Sequence, residues 1–137
     1  MSRRDFHILY VDAGSAHATV AIELLNGHRK RLVHVPGHAE ALAYLRGHQE
    51  RRRPDLILLN LPSQDCRGFL TELKGDESFR RIPVVVMGAD RNREDVLGAY
   101  DCHANCYVTR PEALDEFKRV LAGLEEFWFG VAKLPGA

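Results

Sequence analysis

The sequence lacks a net charge, because its 19 basic and 19 acidic residues cancel. The overall balance therefore favours neither a nucleic acid nor a charged membrane surface as a partner. The sequence also lacks any apolar run of membrane-spanning length, and its first apolar stretch, residues 6–11, is too short for the core of a signal peptide. We therefore expect a cytoplasmic protein that binds neither nucleic acid nor membrane.

Cysteine is scarce, with only Cys66, Cys102 and Cys106 in the chain. An odd number of cysteines does not make the disulfide framework of a small secreted domain. No second ligand pair follows residues 102–106 at a zinc-site spacing, so small buried or half-buried thiols are favoured over a metal site. The seven histidines are scattered and none stands beside a nucleophile motif, so we expect no enzyme.

Short aliphatic runs alternate with longer stretches of helical period along the 137 residues. This alternation predicts one α/β domain over residues 1–137 with a parallel sheet, a core at about 6–129 and a frayed tail at 130–137. The predicted strands are 6–11, 31–35, 56–59, 83–87 and 106–108. The predicted helices are 15–25, 38–45, 66–74, 92–100 and 112–129.

Five strand-helix units of this length fit the flavodoxin-like (βα)5 arrangement, a doubly wound sheet with strand order 2-1-3-4-5. A closer resemblance is carried by residues 8–12 (ILYVD), 37–42 (GHAEAL), 54–60 (PDLILLN), 79–86 (FRRIPVVV) and 106–111 (CYVTRP). Together these segments resemble the receiver domain of response regulators, in the CheY-like superfamily. Residues 125–135 resemble, more narrowly, single-domain regulators that pair with bacterial phytochromes.

The resemblance implies a phosphoacceptor pocket at the carboxyl ends of the strands. An active receiver has two acids after its first strand, an acceptor aspartate after the third, a Ser or Thr after the fourth and a Lys after the fifth. The acids hold Mg²⁺ and supply the nucleophile, the hydroxyl binds the phosphoryl group, and the lysine neutralises it. The matching positions here hold Asp12, Ala13, Asn60, Gly88 and Arg110.

Four of these five positions depart from the family pattern, and an amide at Asn60 cannot become an acyl phosphate. We therefore expect no phosphoryl transfer, no cofactor and weak or absent Mg²⁺ binding, with Asp12 as the only residual metal ligand. Arg110 is expected to reach into the pocket and pair with Asp12 or with carbonyl groups. Counting back from residues 61 and 62 instead leaves Asn60 beyond the acceptor position, and neither alignment supplies an aspartate.

Tyr107 matches the switch aromatic of the family, whose ring moves inward when the hydroxyl residue is drawn toward phosphate. Gly88 has no hydroxyl to draw, so a static, half-buried tyrosine is the alternative. The resemblance also implies a cis peptide bond between Arg110 and Pro111.

The last predicted helix has more apolar residues than one buried face needs. A stripe for the core is formed by Leu114, Phe117, Leu121, Leu124 and Trp128. Val120 and Phe127 fall beside this stripe, and Phe129 and Val131 extend beyond it. The excess predicts a homodimer interface at Val120, Phe127 and Phe129, and the alternative is a tail that folds back on its own domain.

Three functional hypotheses follow from these residues. The leading one is an atypical receiver that signals by protein-protein contact, with a sensor histidine kinase or phytochrome-type kinase as partner. The second keeps phosphotransfer through an unusual acceptor such as Asp65. Asp65 and Asp90 also lie on loops where they could supply replacement carboxylates for a metal, although acids at turns are usually solvated caps. The third is a flavin or nucleotide carrier, because the backbone N–H groups of residues 13–19 are placed to cradle a phosphate.

Overall fold

The computed structural model describes residues 6–14, 16–27, 29–47, 53–61, 67–88, 96–97, 100–101 and 104–131. In these residues the strands are β1 (Phe6–Val11), β2 (Lys30–Val35), β3 (Leu56–Leu61), β4 (Val84–Gly88) and β5 (Cys106–Thr109). The helices are α1 (Ala16–Leu25), α2 (His38–Arg46), α3 (Arg67–Gly75) and α4 (Leu114–Glu125), and α4 continues into a π-helical segment (Glu126–Val131).

All five strands are parallel, and their order in the sheet is β2-β1-β3-β4-β5. This order confirms the flavodoxin-like, doubly wound fold expected from the sequence. The predicted helix at 92–100 falls mostly outside the described residues, of which 96–97 and 100–101 are helical. None of the helices in the described parts of the chain has both the length and the apolar character needed to span a bilayer.

The central strands are buried on both faces, as their nearly continuous apolar sequences require. Alternate residues of each strand point to opposite faces. Leu9 and its neighbours pack with Leu73 of α3 on one face, and Tyr10 packs with Leu25 of α1 and Phe117 of α4 on the other. The side chains packed on the two faces hold the sheet together. Because the strands are parallel and in register, the carboxyl ends of β1, β3, β4 and β5 meet at one edge.

Helix α4 and the π-helical segment after it depart from the apolar stripe expected from the sequence. Phe117 and Leu121 are fully buried, but Leu114, the first residue of α4, is 39% exposed and does not join the core. The π-helical segment after Glu125 has wider turns than an α-helix. This change of period turns Phe129 toward the first strand, where its ring stacks on Phe6 with the centroids 4.4 Å apart.

The expected cis bond between Arg110 and Pro111 is wrong, because no peptide bond among the described residues is cis. The Pro111 carbonyl oxygen instead lies 2.8 Å from the His17 ring nitrogen Nε2. The backbone N–H of Arg110 donates to the Gly88 carbonyl at 2.7 Å. These contacts fix the chain after β5 against α1 and β4.

Candidate functional site

Three polar side chains are buried where the strands end. Asp12 directly follows β1, Asn60 lies near the end of β3, and Arg110 directly follows β5. Their exposed fractions are 2%, 5% and 7%, respectively. The parallel register brings these strand ends to one edge of the sheet, and ligands bind at this edge in folds of this kind. The structure therefore brings together three of the side chains that the sequence analysis selected.

The Asn60 amide bridges the other two side chains. Its Nδ2 donates to Asp12 Oδ2 at 2.6 Å, and its Oδ1 accepts from Arg110 Nη1 at 2.8 Å. A carboxylate only accepts hydrogen bonds and a guanidinium only donates them, so this orientation of the amide is the one that satisfies both neighbours. An ionised aspartate in the same place would accept from Arg110 but would have no proton for Asp12.

Both carboxylate oxygens of Asp12 accept hydrogen bonds from the protein. Oδ2 accepts from the Tyr10 hydroxyl at 2.8 Å, and Oδ1 accepts from the backbone N–H of Gly14 at 3.0 Å. Gly14 has a φ of +104°, which favours glycine at this turn. The His34 ring nitrogen Nε2 lies 2.7 Å from the Asp12 carbonyl oxygen, and it must donate because that oxygen only accepts.

Tyr10 is a member of the site that sequence reasoning missed. Burial raises its pKa well above the ordinary value, and the adjacent Asp12 carboxylate raises the pKa further. Tyr10 therefore remains a neutral donor to Asp12. The signal in the sequence was its spacing, because residues 10 and 12 of an extended strand share one face and a buried tyrosine hydroxyl needs a partner.

Arg110 reaches into the site but does not pair directly with Asp12. Its Nη1 binds the amide oxygen of Asn60, so it contacts Asp12 only through Asn60. Glu112 lies 3.9 Å from Nη2 and is 81% exposed, which makes it a weak partner. Within the described residues, the buried Arg110 Nε has no hydrogen-bond acceptor. The acceptor that the structure gives to Arg110 is therefore the side-chain amide oxygen of Asn60.

Gly88 and Tyr107 occupy the neighbouring part of the pocket. Gly88 ends β4, and its missing side chain leaves room for Tyr107. The hydroxyl oxygen of Tyr107 lies 1.8 Å from the point where a β-carbon on residue 88 would stand. The ring is half-buried and packs against the core face that also contains Val86. Tyr107 therefore lies inward in this structure.

The remaining candidate residues do not join this network. Ala13 is exposed and contributes no oxygen ligand. Asp65 and Asp90 lie outside the described residues. In the segment proposed to cradle a phosphate, the N–H of Gly14 already donates to Asp12. The flavin or nucleotide hypothesis therefore gains no support from this turn.

The residues at this edge do not fit a divalent cation. Mg²⁺ requires anionic oxygens to replace part of its hydration shell. Asp12 is the only buried carboxylate among the described residues here, and both its oxygens accept hydrogen bonds. The Asn60 oxygen faces the cationic Arg110. No group of three His, Cys, Asp or Glu side chains in the described parts of the chain is arranged to hold a metal.

The residues expected at a dimer interface have different environments. Phe127 is 50% exposed, and its ring meets Trp128 edge-on with the centroids 5.2 Å apart. Val120 is half-buried on α4. Phe129 is half-buried against Phe6 of its own chain, as in the alternative of a tail that folds back. Phe127 and Val120 are therefore the better candidates for an external contact.

Comparison with known proteins identifies close relatives of the chain. The response regulator Rcp1 of Synechocystis is 40% identical over 102 residues, which cover 71% of this chain and 69% of Rcp1. The probable methanogenesis regulatory protein FilR2 of Methanothrix harundinacea is 33% identical, with 96% of this chain and 88% of FilR2 covered. No family model matches the chain.

Solved structures give the same result. The phosphorylated cyanobacterial phytochrome response regulator RcpA superposes with a TM-score of 0.87 at 38% identity, covering 96% of this chain and 99% of RcpA. The Mn²⁺-bound form of Rcp1 superposes with a TM-score of 0.83 at 33% identity, covering 95% of this chain and 99% of Rcp1. The fold, the receiver motifs and these relatives together show that the chain belongs to the response-regulator receiver family.

Proposed function

We propose that this response regulator acts in two-component signalling through protein contacts, without accepting a phosphoryl group. The observation that carries the proposal is the Asn60 amide, which is hydrogen-bonded to Asp12 on one side and to Arg110 on the other. Asn60 stands at the end of β3 between the ends of β1 and β4. This position supports its alignment with the phosphoacceptor of the family and disfavours the alignment that leaves Asn60 beyond the acceptor position.

The chemistry of an amide is unsuited to phosphoryl transfer. A phosphoacceptor attacks with an anionic carboxylate oxygen, whereas the Asn60 oxygen is neutral and already accepts from Arg110. The Asn60 nitrogen is a donor and its hydrogen is directed at Asp12. An incoming phosphoryl group would therefore meet a neutral, occupied side chain at the place of attack.

The electrostatics of the site disfavour the metal that phosphoryl transfer requires. Asp12 contributes one negative charge and Arg110 one positive charge, so the pocket is neutral overall. A divalent cation at Asp12 would displace the donors Tyr10 and Asn60 and would be repelled by the guanidinium. Rcp1 has been crystallised with Mn²⁺ and RcpA in a phosphorylated form. We propose that this chain differs from both.

Signalling without phosphoryl transfer would depend on binding a partner. RcpA is a phytochrome response regulator, and this relationship supports a sensor histidine kinase or a phytochrome-type kinase as the partner. A second copy of the chain is a further candidate, with Phe127 and Val120 as the contact. In this proposal the chain catalyses no reaction and binds no cofactor.

Mass spectrometry after incubation with Mg²⁺ and acetyl phosphate tests the central claim. The wild type is expected to keep its mass, and so is Asn60→Asp, because Ala13, Gly88 and Arg110 still leave the metal and the phosphoryl oxygens unsupported. The control is a variant that restores the family pattern at all four altered positions. Its gain of one phosphoryl group would show that the fold and the assay are competent.

A stoichiometric phosphoryl group on the wild type would overturn the proposal. Asp65→Asn would then identify the acceptor, since loss of labelling in that variant would establish the second hypothesis. Efficient labelling of Asn60→Asp alone would show that the other three changes matter little. A kinase partner is tested by its binding affinity, which is expected to be the same with and without acetyl phosphate.

A further inference from the structure

His17 is a buried polar residue in the first turn of α1, where it is 7% exposed. Its ring nitrogen Nε2 lies 2.8 Å from the carbonyl oxygen of Pro111, the residue that follows Arg110. A carbonyl oxygen only accepts hydrogen bonds, so Nε2 carries a proton and donates it. His17 therefore joins α1 to the segment between β5 and α4.

The His17 ring is held in a fixed orientation by Phe117 of α4. Phe117 is fully buried, and the two rings meet edge-on with their centroids 4.7 Å apart and their planes at 74°. This geometry is a favourable one for two aromatic rings. A ring that is packed in this way can donate its Nε2 proton in only one direction, and that direction leads to the Pro111 carbonyl.

The backbone around Arg110 is fixed on both sides. Before its α-carbon, the Arg110 N–H donates to the Gly88 carbonyl at 2.7 Å. After it, the hydrogen bond from His17 holds the carbonyl of the next residue. An arginine side chain has many rotamers, and ordering it is costly in entropy. A backbone fixed at both ends limits the directions that the side chain can take, and its Nη1 donates to the Asn60 oxygen at 2.8 Å.

We infer that His17 is the positioning residue for Arg110, and that it keeps the guanidinium buried against Asn60 by holding the Pro111 carbonyl. It acts on Arg110 through the backbone of the following residue. Helix α1 and the polar side chains at the strand ends therefore form one hydrogen-bonded unit. The bearing of this unit on partner binding rests on the proposed function, whereas the positioning of Arg110 does not.

The first test follows Arg110 directly, through the exchange of its Nε–H proton with water in NMR spectra. The Arg110 Nε is buried, so this proton should exchange slowly, whereas that of the exposed Arg80 should exchange fast and serve as a reference. Arg110→Lys identifies the resonance of interest. In His17→Leu, exchange at Arg110 Nε is expected to be faster by about tenfold or more, because the Pro111 carbonyl loses this donor.

His17→Gln is the rescue variant, because the side-chain NH₂ group of glutamine can donate from nearly the position of the histidine Nε2. Exchange at Arg110 Nε is expected to stay close to the wild-type rate in this variant. A wild-type rate in His17→Leu would overturn the inference. So would equal acceleration in His17→Leu and His17→Gln, because the hydrogen bond would then not be what positions Arg110.

His7→Leu is the matched control. His7 is 6% exposed, and its Nε2 lies 2.7 Å from the Tyr44 hydroxyl. It stands near the start of β1, at the edge of the sheet opposite to Arg110. This variant also loses a buried, hydrogen-bonded histidine, so it is expected to lower Tm but to leave exchange at Arg110 Nε unchanged. If it accelerates that exchange as much as His17→Leu does, the cause is a general loosening of the fold and the inference is wrong.

The second test uses the unaltered chain, so it holds even if His17→Leu does not fold. Long-range ¹H–¹⁵N NMR correlations show which nitrogen of the His17 ring carries a proton, and His17→Gln identifies the signals. We expect a proton on Nε2, as donation to the Pro111 carbonyl requires. A neutral ring with its proton on Nδ1 would overturn the inference. Neither test uses a phosphodonor, so they and the test of phosphoryl transfer can fail separately.

Discussion

Replacing Asn60 by aspartate is expected to destabilise the protein at neutral pH, because the amide acts as donor and acceptor at once. The nitrogen donates to Asp12 at 2.6 Å and the oxygen accepts from Arg110 at 2.8 Å. An ionised carboxylate keeps the second contact and loses the first. It also brings an anionic oxygen next to the Asp12 carboxylate, in a place where both groups are buried.

The size of the effect follows from opposing terms. Two like charges about 4 Å apart repel by about 4 kcal/mol at an effective dielectric constant of about 20. Strengthening of the existing bond to Arg110 by the new negative charge returns about 1.5–3 kcal/mol, and loss of the donor to Asp12 costs about 1–2 kcal/mol. We expect the free energy of unfolding of Asn60→Asp to fall by about 2–4.5 kcal/mol near neutral pH.

The loss should be recovered in acid. A protonated carboxyl group resembles the amide, because its O–H donates to Asp12 while its carbonyl accepts from Arg110. Folding therefore raises the pKa of the new acidic pair above about 3.9, the ordinary value of an aspartate. At pH values between the ordinary pKa and the raised pKa, the folded state binds more protons than the unfolded state. The stability of the variant therefore rises relative to wild type as the pH falls through this range. The loss of unfolding free energy in Asn60→Asp is largest at pH values above the raised pKa.

Urea unfolding at several pH values between about 4 and 8 measures this dependence. Asn105→Asp is the control, because the Asn105 oxygen accepts from the Val84 N–H at 2.8 Å and from Lys74 Nζ at 3.2 Å. A carboxylate keeps both contacts, and we expect a change within about 0.5 kcal/mol. A deficit of Asn60→Asp that does not vary with pH, or no deficit at all, would refute the donor role of the Asn60 amide.

Three further predictions address Tyr10, Arg110 and the exposed aromatic residues. Above about pH 10 the unfolded state loses the Tyr10 proton while the folded state keeps it, so the free energy of unfolding of the wild type falls as the pH rises. In Tyr10→Phe this fall should be less steep, by about 1.4 kcal/mol per pH unit, as measured by urea unfolding. Arg110→Met should lower the unfolding free energy by about 2–3 kcal/mol, because the Asn60 oxygen loses its charged donor; an unchanged urea midpoint would contradict this. Phe127→Glu should convert a dimer to a folded monomer in light scattering and circular dichroism, whereas Trp128→Ala should lower Tm because Trp128 packs on the core. A wild type that is monomeric at high concentration would rule out the dimer.

Most of the fold could be predicted because strand and helix periods are local signals. The alternation of elements predicts a parallel α/β sheet, the strand order is that of the flavodoxin-like arrangement which five such units fit, and β1 has the predicted bounds. β3 extends to Leu61, past the predicted end at residue 59. A polar residue such as Asn60 is not expected in a buried strand, but its hydrogen bonds to Asp12 and Arg110 support its burial. These partners lie about 50 positions away in the chain, and no local pattern shows them.

Apart from Tyr10, the members of the candidate site could be predicted from the sequence, but their contacts could not. Ends of parallel strands meet at one edge, so Asp12 and Arg110 were expected to be close. The sequence could not show that the Asn60 amide separates them, because that depends on side-chain geometry. The position of Tyr107 could not be predicted either, because a glycine in a strand indicates available space but does not show which side chain fills it. The stacking of Phe129 on Phe6 also could not be predicted, because a constant α-helical period does not describe a π-helical segment.

The departures from the family pattern complement one another, and this explains why a single reversion should not restore a phosphoacceptor. The Asn60 amide requires an acceptor at Asp12 and a donor at Arg110, and Gly88 makes room for the Tyr107 ring. We call Asp12, Asn60 and Arg110 the polar set, and Gly88 and Tyr107 the steric set. The two sets are joined by a hydrogen bond in which the Arg110 N–H donates to the Gly88 carbonyl at 2.7 Å. A change at Asn60 alone leaves the guanidinium next to residue 60 and leaves the Tyr107 ring in the space that a side chain at residue 88 would need. We therefore expect it to remove a hydrogen bond without creating a binding site, and we expect phosphoryl transfer only when the polar set and the steric set change together.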